Sequence, residues 1–384
     1  MSELRVALFT GNYNHMRDGV SQTLNRWVSY LQEQSIPVMV FGPTSENPEI
    51  DEVGAFYPVP SIAIPGRPEY RVSVNLPAQR KRELKSFAPN LVHIATPDIL
   101  GYKALRYAQR NNITVVSSYH THFTSYLKYY NLNFLEPLSW KYLCWFYKQC
   151  RHIYVPTKSM KQTLREKGIS GDLRIWARGV NTNLFNPNKK NYEWRQSFGL
   201  NDEDFVVTFV SRLVWEKNLK TYVAAVELLK KKYPDIQGLV VGDGPAKEEM
   251  KKMMPNGVFT GFLRGEDLAK AYASSDVFMF PSDTETFGNV TLEAMSSGVP
   301  AVVANATGSR SLINPGINGF LAEADAPDEF AEQVSRIYNN RKLHKQMSIK
   351  AREKALNYSW SNVNSQLLEN YHSAVRTPKS QLIA

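Results

Sequence analysis

The chain has 384 residues, 43% of them hydrophobic and 21% charged, which excludes intrinsic disorder and allows two domains with a full core each. No apolar stretch approaches the roughly 18 to 20 residues that cross a bilayer, and the opening MSELRVALFT lacks the form of a signal peptide, so a cytoplasmic location is expected. A formal net charge of +10 suits an anionic membrane, anionic small molecules or only a solvated basic surface, while the lack of RNA-binding aromatic motifs, zinc fingers and basic heptad helices argues against nucleic acid.

The first half alternates short β-branched runs with longer amphipathic patterns. LRVALFT (Leu4 to Thr10), VMVFG (Val38 to Gly42), LVHIA (Leu91 to Ala95) and ITVVSSY (Ile113 to Tyr119) read as buried strands, and Ser21 to Leu31 and Leu76 to Phe87 as helices. Such alternation predicts an α/β fold of right-handed βαβ units around a parallel sheet. After the first strand, Gly19 precedes a helix whose free N–H groups suit a phosphate, although the spacing is not Gly-x-Gly-x-x-Gly. SSYHTHFTSY puts His120 and His122 at a strand's carboxyl end. Without a third ligand of suitable spacing a metal is disfavoured, and His120 is expected to hydrogen-bond a sugar hydroxyl, with an ordinary polar loop as the alternative.

The next stretch, FTSYLKYYNLNFLEPLSWKYLCWFYKQCRH, is aromatic and carries Lys128, Lys141, Lys148 and Arg151. It suits shallow insertion at a lipid interface, and a packed core helix is the other reading of the same residues. Cys144 and Cys150 within it match no zinc or redox spacing and read as inert thiols in a reducing compartment. A run rich in Asn, Asp and Lys, from Asn181 to Asp204, then marks an expected boundary near residue 190.

FVVTFVSRL, GLVVGDG, GVFTGFL, DVFMFPS and VPAVVA form a second series of strands, each followed by a loop and a helical segment. In VSRLVWEKNL, Arg212 ends a strand and Lys217 opens the next helix, with Glu216 the only nearby acid. Two cations so placed fit a diphosphate, or are ordinary strand-edge charges. Gly242 and Gly244 flank Asp243 in a tight turn, and the backbone of FTGFL, including Gly261 and Leu263, is placed to read a base edge. PSDTETFGNVTLEAMSSG carries Glu285 on a loop and Glu293 in the first helical turns. Gly288 permits close backbone approach, N–H groups near Asn289 and Val290 can receive a phosphate, and the two carboxylates can accept sugar and ribose hydroxyls. Both acids also have a plain reading as surface and helix-dipole charges. A last helical pattern, Trp360 to Val375, is expected to cross back onto the first domain, with ligands in a cleft between the two sheets.

Together Gly19, YHTH, SRLVWEKN, GDGP, FTGFL, the Glu-x7-Glu pattern of ETFGNVTLE with SSGVPAVV after it, and NYSW resemble the retaining glycosyltransferases of family 4 over nearly the whole chain. The resemblance implies the GT-B fold, two doubly wound Rossmann-like domains facing a cleft, here 1–188 and 189–358, with a helix over 359–376 returning to the first. It implies transfer of a hexose, with retention and without metal or other cofactor, from a nucleoside-diphosphate sugar, UDP-linked ahead of GDP-linked. Arg212 and Lys217 would neutralise the diphosphate, Glu293 would hold the ribose and Glu285 the sugar. The backbone from Phe287 through Gly288 and Asn289 to Val290 would meet phosphate and sugar, Gly19 would let the first loop close on the diphosphate, and His120 would contact the sugar. Many relatives carry paired glycines at Asp18-Gly19, and glycine at Asn218.

RDGVSQTLNR, IPGRPEYRV and YLKYYNLNFLEP are similar to bacterial lipid glycosyltransferases of the mannosyltransferase and sulfoquinovosyl-diacylglycerol synthase groups, which implies a diacylglycerol or ceramide acceptor, or a glycan, and peripheral contact with the inner face of an anionic membrane. A sugar-nucleotide epimerase or hydrolase of the same fold, and a non-catalytic two-lobed sugar-binding protein, are the alternatives.

Overall fold

The computed structural model describes residues 3–16, 18–64, 67–119, 133–285 and 287–376. They divide into two compact units, one running to Trp176 and resuming at Asn364, the other Ala177–Val363. The polar run expected to mark the boundary lies inside the second unit.

The first unit is built on a parallel sheet. Its strands are β1 (Val6–Phe9), β2 (Val38–Gly42) and β3 (Ala55–Pro58), then, after an antiparallel hairpin of β4 (Ser61–Ile64) and β5 (Arg67–Ser73), β6 (Leu91–Ile94), β7 (Thr114–Ser118), β8 (His152–Val155) and β9 (Leu173–Ile175). The spatial order is β3-β2-β1-β6-β7-β8-β9. The inner strands are mostly apolar, as parallel strands covered on both faces tend to be, and β1, β2 and β6, the last with the single polar residue His93, are buried along their whole length. Helix Gly19–Glu33 buries Leu24, Trp27, Val28 and Leu31, the i, i+3, i+4, i+7 stripe of an amphipathic helix. Asp18 caps it: the carboxylate accepts from the backbone N–H groups of Val20 and Ser21, and the Ser21 hydroxyl accepts from the Asp18 N–H.

The second unit repeats the plan with β10 (Phe205–Val210), β11 (Ile236–Val241), β12 (Val258–Gly261), β13 (Val277–Phe280), β14 (Ala301–Ala304) and β15 (Gly319–Ala322), all parallel, in the order β12-β11-β10-β13-β14-β15. This is the doubly wound order in which the chain runs outward from a central strand to one edge and then to the other.

The closing helix, Trp360–Arg376, starts in the second unit and from Asn364 belongs to the first. Its anchor is polar as well as apolar. Tyr371 is fully buried, with its ring edge-on to Trp27 at 5.1 Å. The Trp27 indole N–H donates to the Tyr371 hydroxyl at 3.0 Å, that hydroxyl donates to His93 Nδ1, and His93 Nε2–H donates to Ser118 Oγ at 2.9 Å. The indole N–H can only donate, and the phenol's own proton then has His93 Nδ1 as its acceptor among the described residues, which puts the ring proton on Nε2. Burial pushes the His93 pKa down from 6.5 to about 3, so the ring is neutral.

Tyr371→Phe strands a buried donor and a buried acceptor, at a cost of about 1–3 kcal/mol each, read as a lowered thermal midpoint at neutral pH. Because folded His93 refuses a proton that the unfolded chain takes at about 6.5, stability falls as pH drops from about 6.5 towards 3. The difference between urea midpoints at neutral and mildly acidic pH is expected to shrink in His93→Gln.

Candidate active site

In the second unit the strand order reverses between β10 and β13, so the loops leaving their carboxyl ends diverge and open a crevice. The loop after β10 carries Arg212 and Lys217, and the loop after β13 carries Glu285. Lys217 Nζ lies 2.7 Å from Glu285 Oε1 and 3.2 Å from Thr284 Oγ1, and both partners of the ion pair are about one-fifth exposed, at 18% and 23% of side-chain surface. Lys217 closes a 3₁₀ turn, Trp215–Lys217, and the helix begins only at Leu219. Between them Asn218 is left-handed, φ 54°, and its side-chain amide donates to the Pro281 carbonyl at 3.0 Å, fastening the two loops together. Arg212 is exposed and forms no ion pair among the described residues.

The neighbouring strand ends are drawn in by close backbone contact. A Cβ on Gly242, whose φ is +142°, would fall 1.9 Å from the Ser211 carbonyl oxygen, so only glycine lets the turn after β11 lie against the loop after β10. Leu213 N–H donates to the Asp243 carbonyl at 2.8 Å, and Gly242 N–H to the Gly261 carbonyl at 2.8 Å, which ties in the end of β12 and the half-buried Leu263 beyond it.

Helix Asn289–Ser296 leaves the β13 loop with Gly288 as its N-cap at φ +96° and with no side-chain cap, so its first N–H groups are not taken up by a capping side chain. Phe287 is buried and stands edge-on to Tyr358 at 6.0 Å, whereas Asn289 is exposed and Val290 half-buried. One turn on, Glu293 Oε2 accepts from the Tyr272 hydroxyl at 3.1 Å. Burial raises the Tyr272 pKa well above its usual value and the neighbouring Glu293 charge adds to it, so the phenol stays protonated and donates.

In the first unit Gly19 is the first residue of its helix, and a Cβ there would meet nothing within 4 Å. His120 lies outside the described residues. No group of three His, Cys, Asp or Glu able to hold a metal occurs among the described residues.

Two family models cover the chain: Glycosyltransferase Family 4 matches residues 17–184 and Glycosyl transferases group 1 matches residues 190–354. A GDP-mannose-dependent alpha-mannosyltransferase of Corynebacterium glutamicum is 30% identical over 97% of this chain and 89% of its own. The chain belongs to glycosyltransferase family 4. The sulfoquinovosyl transferase SQD2 of Arabidopsis thaliana is 29% identical over 93% and 71% of the two chains, and an alpha-monoglucosyldiacylglycerol synthase of Streptococcus pneumoniae 24% over 83% and 74%. Among solved structures, HepE of Anabaena in complex with UDP superposes with a TM-score of 0.75 at 17% identity, over 96% of this chain and all of that one, so the fold is GT-B.

The two positions of this family-4 glycosyltransferase where the resemblance implied glycine have a physical reason for the residues they carry. Asn218 occupies a left-handed position where glycine costs least and asparagine is the best-tolerated alternative. Asp18 turns its carboxylate onto its own helix as the N-cap. Tyr272, Thr284, Gly308 and Ser309 escape the sequence reading. Gly308 and Ser309 lie in the short helix Thr307–Arg310 after β14, a stretch with nothing in its sequence to draw notice, yet a Cβ on Gly308 would lie 2.3 Å from the Glu285 carbonyl oxygen, and one on Gly288 2.5 Å from Ser309 Oγ. The loop that presents Glu285 therefore rests directly on the short helix after β14.

Gly308→Ala is expected to cost about 1–3 kcal/mol by overpacking and to move the Glu285 loop, whereas Gly19→Ala, with open space around it, leaves the thermal midpoint unchanged or slightly raised. Parallel thermal unfolding of the two variants checks the contrast.

Proposed function

We propose that this glycosyltransferase moves a hexosyl group, with retention of configuration, from a nucleoside-diphosphate sugar to a hydroxyl group of a membrane lipid. The observation that carries the reading is the Lys217–Glu285 pair, which sets a cation and a carboxylate side by side at the switch point of the second unit. A diphosphate calls for the first and sugar hydroxyls for the second.

In this reading Arg212 and Lys217 face the diphosphate, with the N–H groups from Phe287 to Val290 adding donors along the positive helix end. Glu293, held by Tyr272, accepts the ribose hydroxyls, and Glu285 accepts those of the transferred sugar. The backbone at Gly261 and Leu263 borders the base, and the Gly242 turn keeps the β10 loop in place beneath the phosphates. Gly19, with free space around it, leaves room for the diphosphate at the first unit's helix, and His120 approaches the sugar.

The bond between the anomeric carbon and the phosphate oxygen lengthens first, and charge gathers on the departing diphosphate, where Arg212 and Lys217 lower its energy. The acceptor oxygen bonds to the anomeric carbon on the face being vacated, and its proton passes to the leaving phosphate oxygen. Glycoside and nucleoside diphosphate are the products, and no enzyme carboxylate is alkylated. The diacylglycerol in the name of the pneumococcal relative supports a lipid acceptor. For the base, the GDP-mannose-dependent relatives at 28–30% identity weigh for guanine against the uracil expected from the sequence.

A thermal-shift panel of UDP- and GDP-sugars tests the donor, since stabilisation grows with the logarithm of ligand concentration over its dissociation constant. Transfer assays with lipid extracts follow. Lys217→Ala is expected to lower kcat by roughly 10²-fold or more with the donor thermal shift reduced. Turnover near that of the parent would remove Lys217 from the chemistry, and donor consumption without any acceptor would favour an epimerase or hydrolase.

A further inference from the structure

We propose that the exposed sides of helices Glu136–Lys148 and Ile99–Arg110, both in the first unit, form the face by which the protein docks on an anionic bilayer. This rests on the lipid-acceptor reading above and names the surface it requires.

Helix Glu136–Lys148 has two apolar sides. Trp140, Leu143, Phe146 and Tyr147 enter the core. The other side presents Leu138, 65% exposed, and Trp145, 41% exposed, with Phe134, 73% exposed, on the turn just before it. Positions 134, 138, 142 and 145 recur at the three- and four-residue spacing of a single helical stripe. Helix Ile99–Arg110 continues the patch with exposed Ile99 and Tyr102, and the Tyr102 ring sits 6.0 Å from Trp145. The Tyr142 hydroxyl donates at 3.0 Å to the carbonyl of Pro97, in the turn that leads into helix Ile99–Arg110, and so ties the first helix to the start of the second. The patch is therefore one rigid surface of large side chains that water gains nothing by wetting.

Its charge selects the occupant. Lys103, Arg106, Arg110, Lys141 and Lys148 are all exposed, and none is in an ion pair among the described residues. The one acid of the two helices, Glu136, accepts from Trp140 Nε1 at 3.2 Å and lies 4.0 Å from Lys167. A second copy of the chain would bring like charges face to face. Nucleic acid would take the cations and the rings but gains nothing from Leu138 and Ile99. An anionic bilayer satisfies every part: headgroups meet the cations, indole and phenol rings favour the interfacial layer, and the aliphatic tips reach the acyl boundary. No helix among the described residues is long and apolar enough to cross a membrane, so the contact is peripheral.

The test is co-sedimentation of the full chain with sucrose-loaded vesicles of phosphatidylcholine, with and without phosphatidylglycerol, alongside transfer to extracted lipid dissolved in detergent. The parent protein should bind phosphatidylglycerol vesicles at least about tenfold more tightly than neutral ones and lose this preference at about 1 M salt. Leu138→Glu with Trp145→Glu should weaken vesicle binding at least about tenfold, and Lys141→Gln with Lys148→Gln roughly fivefold per cation on anionic vesicles only. Detergent-phase transfer should be unchanged in both pairs. Vesicle binding that neither pair weakens overturns this surface and leaves the lipid acceptor standing. Transfer to dissolved glycan with no binding to any vesicle and no lipid product overturns both. A parent dimer that Trp145→Glu dissociates, or tight RNA binding in place of vesicle binding, assigns the face to another occupant and overturns the proposal.

Discussion

The pairing of Lys217 with Glu285 across the switch point of the second sheet is the contact around which the candidate site is arranged. Its own attraction does not explain it. Ion pairs near a surface are worth about 0–1 kcal/mol, and these two side chains are buried enough to lose part of their hydration as well. Backbone holds them instead: Asn218 reaches from the left-handed turn beside Lys217 to the Pro281 carbonyl, and Gly308 supports the peptide of Glu285 from below. A lysine and a glutamate positioned by their loops rather than by each other are free to trade partners. Such an arrangement serves a ligand that brings anionic oxygens to one and hydroxyl groups to the other.

The same economy of side chains runs through the other loops at the carboxyl edge. Gly242 lies on the Ser211 carbonyl, Gly308 on the Glu285 carbonyl and Gly288 on the small Ser309 side chain, so the four segments that follow β10, β11, β13 and β14 stack closely on one another. Close stacking leaves N–H groups, not methyl groups, at the rim. It also makes the rim stiff, since each loop is a spacer for the next. Tyr272 extends this support to Glu293: a buried phenol that stays protonated aims one carboxylate oxygen.

Much of this was legible in the sequence, and the gaps have physical causes. Strands that run through the sheet centres, such as β1, β2, β10, β11 and β13, are predominantly β-branched and aromatic runs and announce themselves. Those passed over are edge strands or short ones: β3 is only partly buried, β4 and β5 form a side hairpin, and β9 has three residues. β8, HIYV, is central but hides in an aromatic stretch where it cannot be told from its helical flank. In the site, Lys217, Glu285 and Glu293 stand out because charges at strand ends and helix starts need partners. Tyr272 looks like one more apolar helix residue, and Gly308 and Ser309 look like an ordinary turn. Their roles depend on which strand ends become neighbours, which spacing along the chain does not reveal. His120 falls outside the described residues, so the first unit's contribution to the chemistry rests on the YHTH resemblance.

The aromatic helix shows why two opposed readings of one stretch can both hold. A helix that served only the core would need one apolar stripe of about 100°. Glu136–Lys148 carries apolar residues on more of its circumference than that, and the sheet can cover only the side bearing Trp140, Leu143 and Tyr147. Composition therefore records the sum of two faces and cannot apportion them. The apportioning is done by its neighbours: the core of the first unit takes one side, while the helix at Ile99, itself bearing three exposed cations and no acid, extends the other instead of covering it. Exposed aromatic residues beside lysines and arginines that form no ion pair among the described residues are the combination that the proposed contact with an anionic, apolar surface would use.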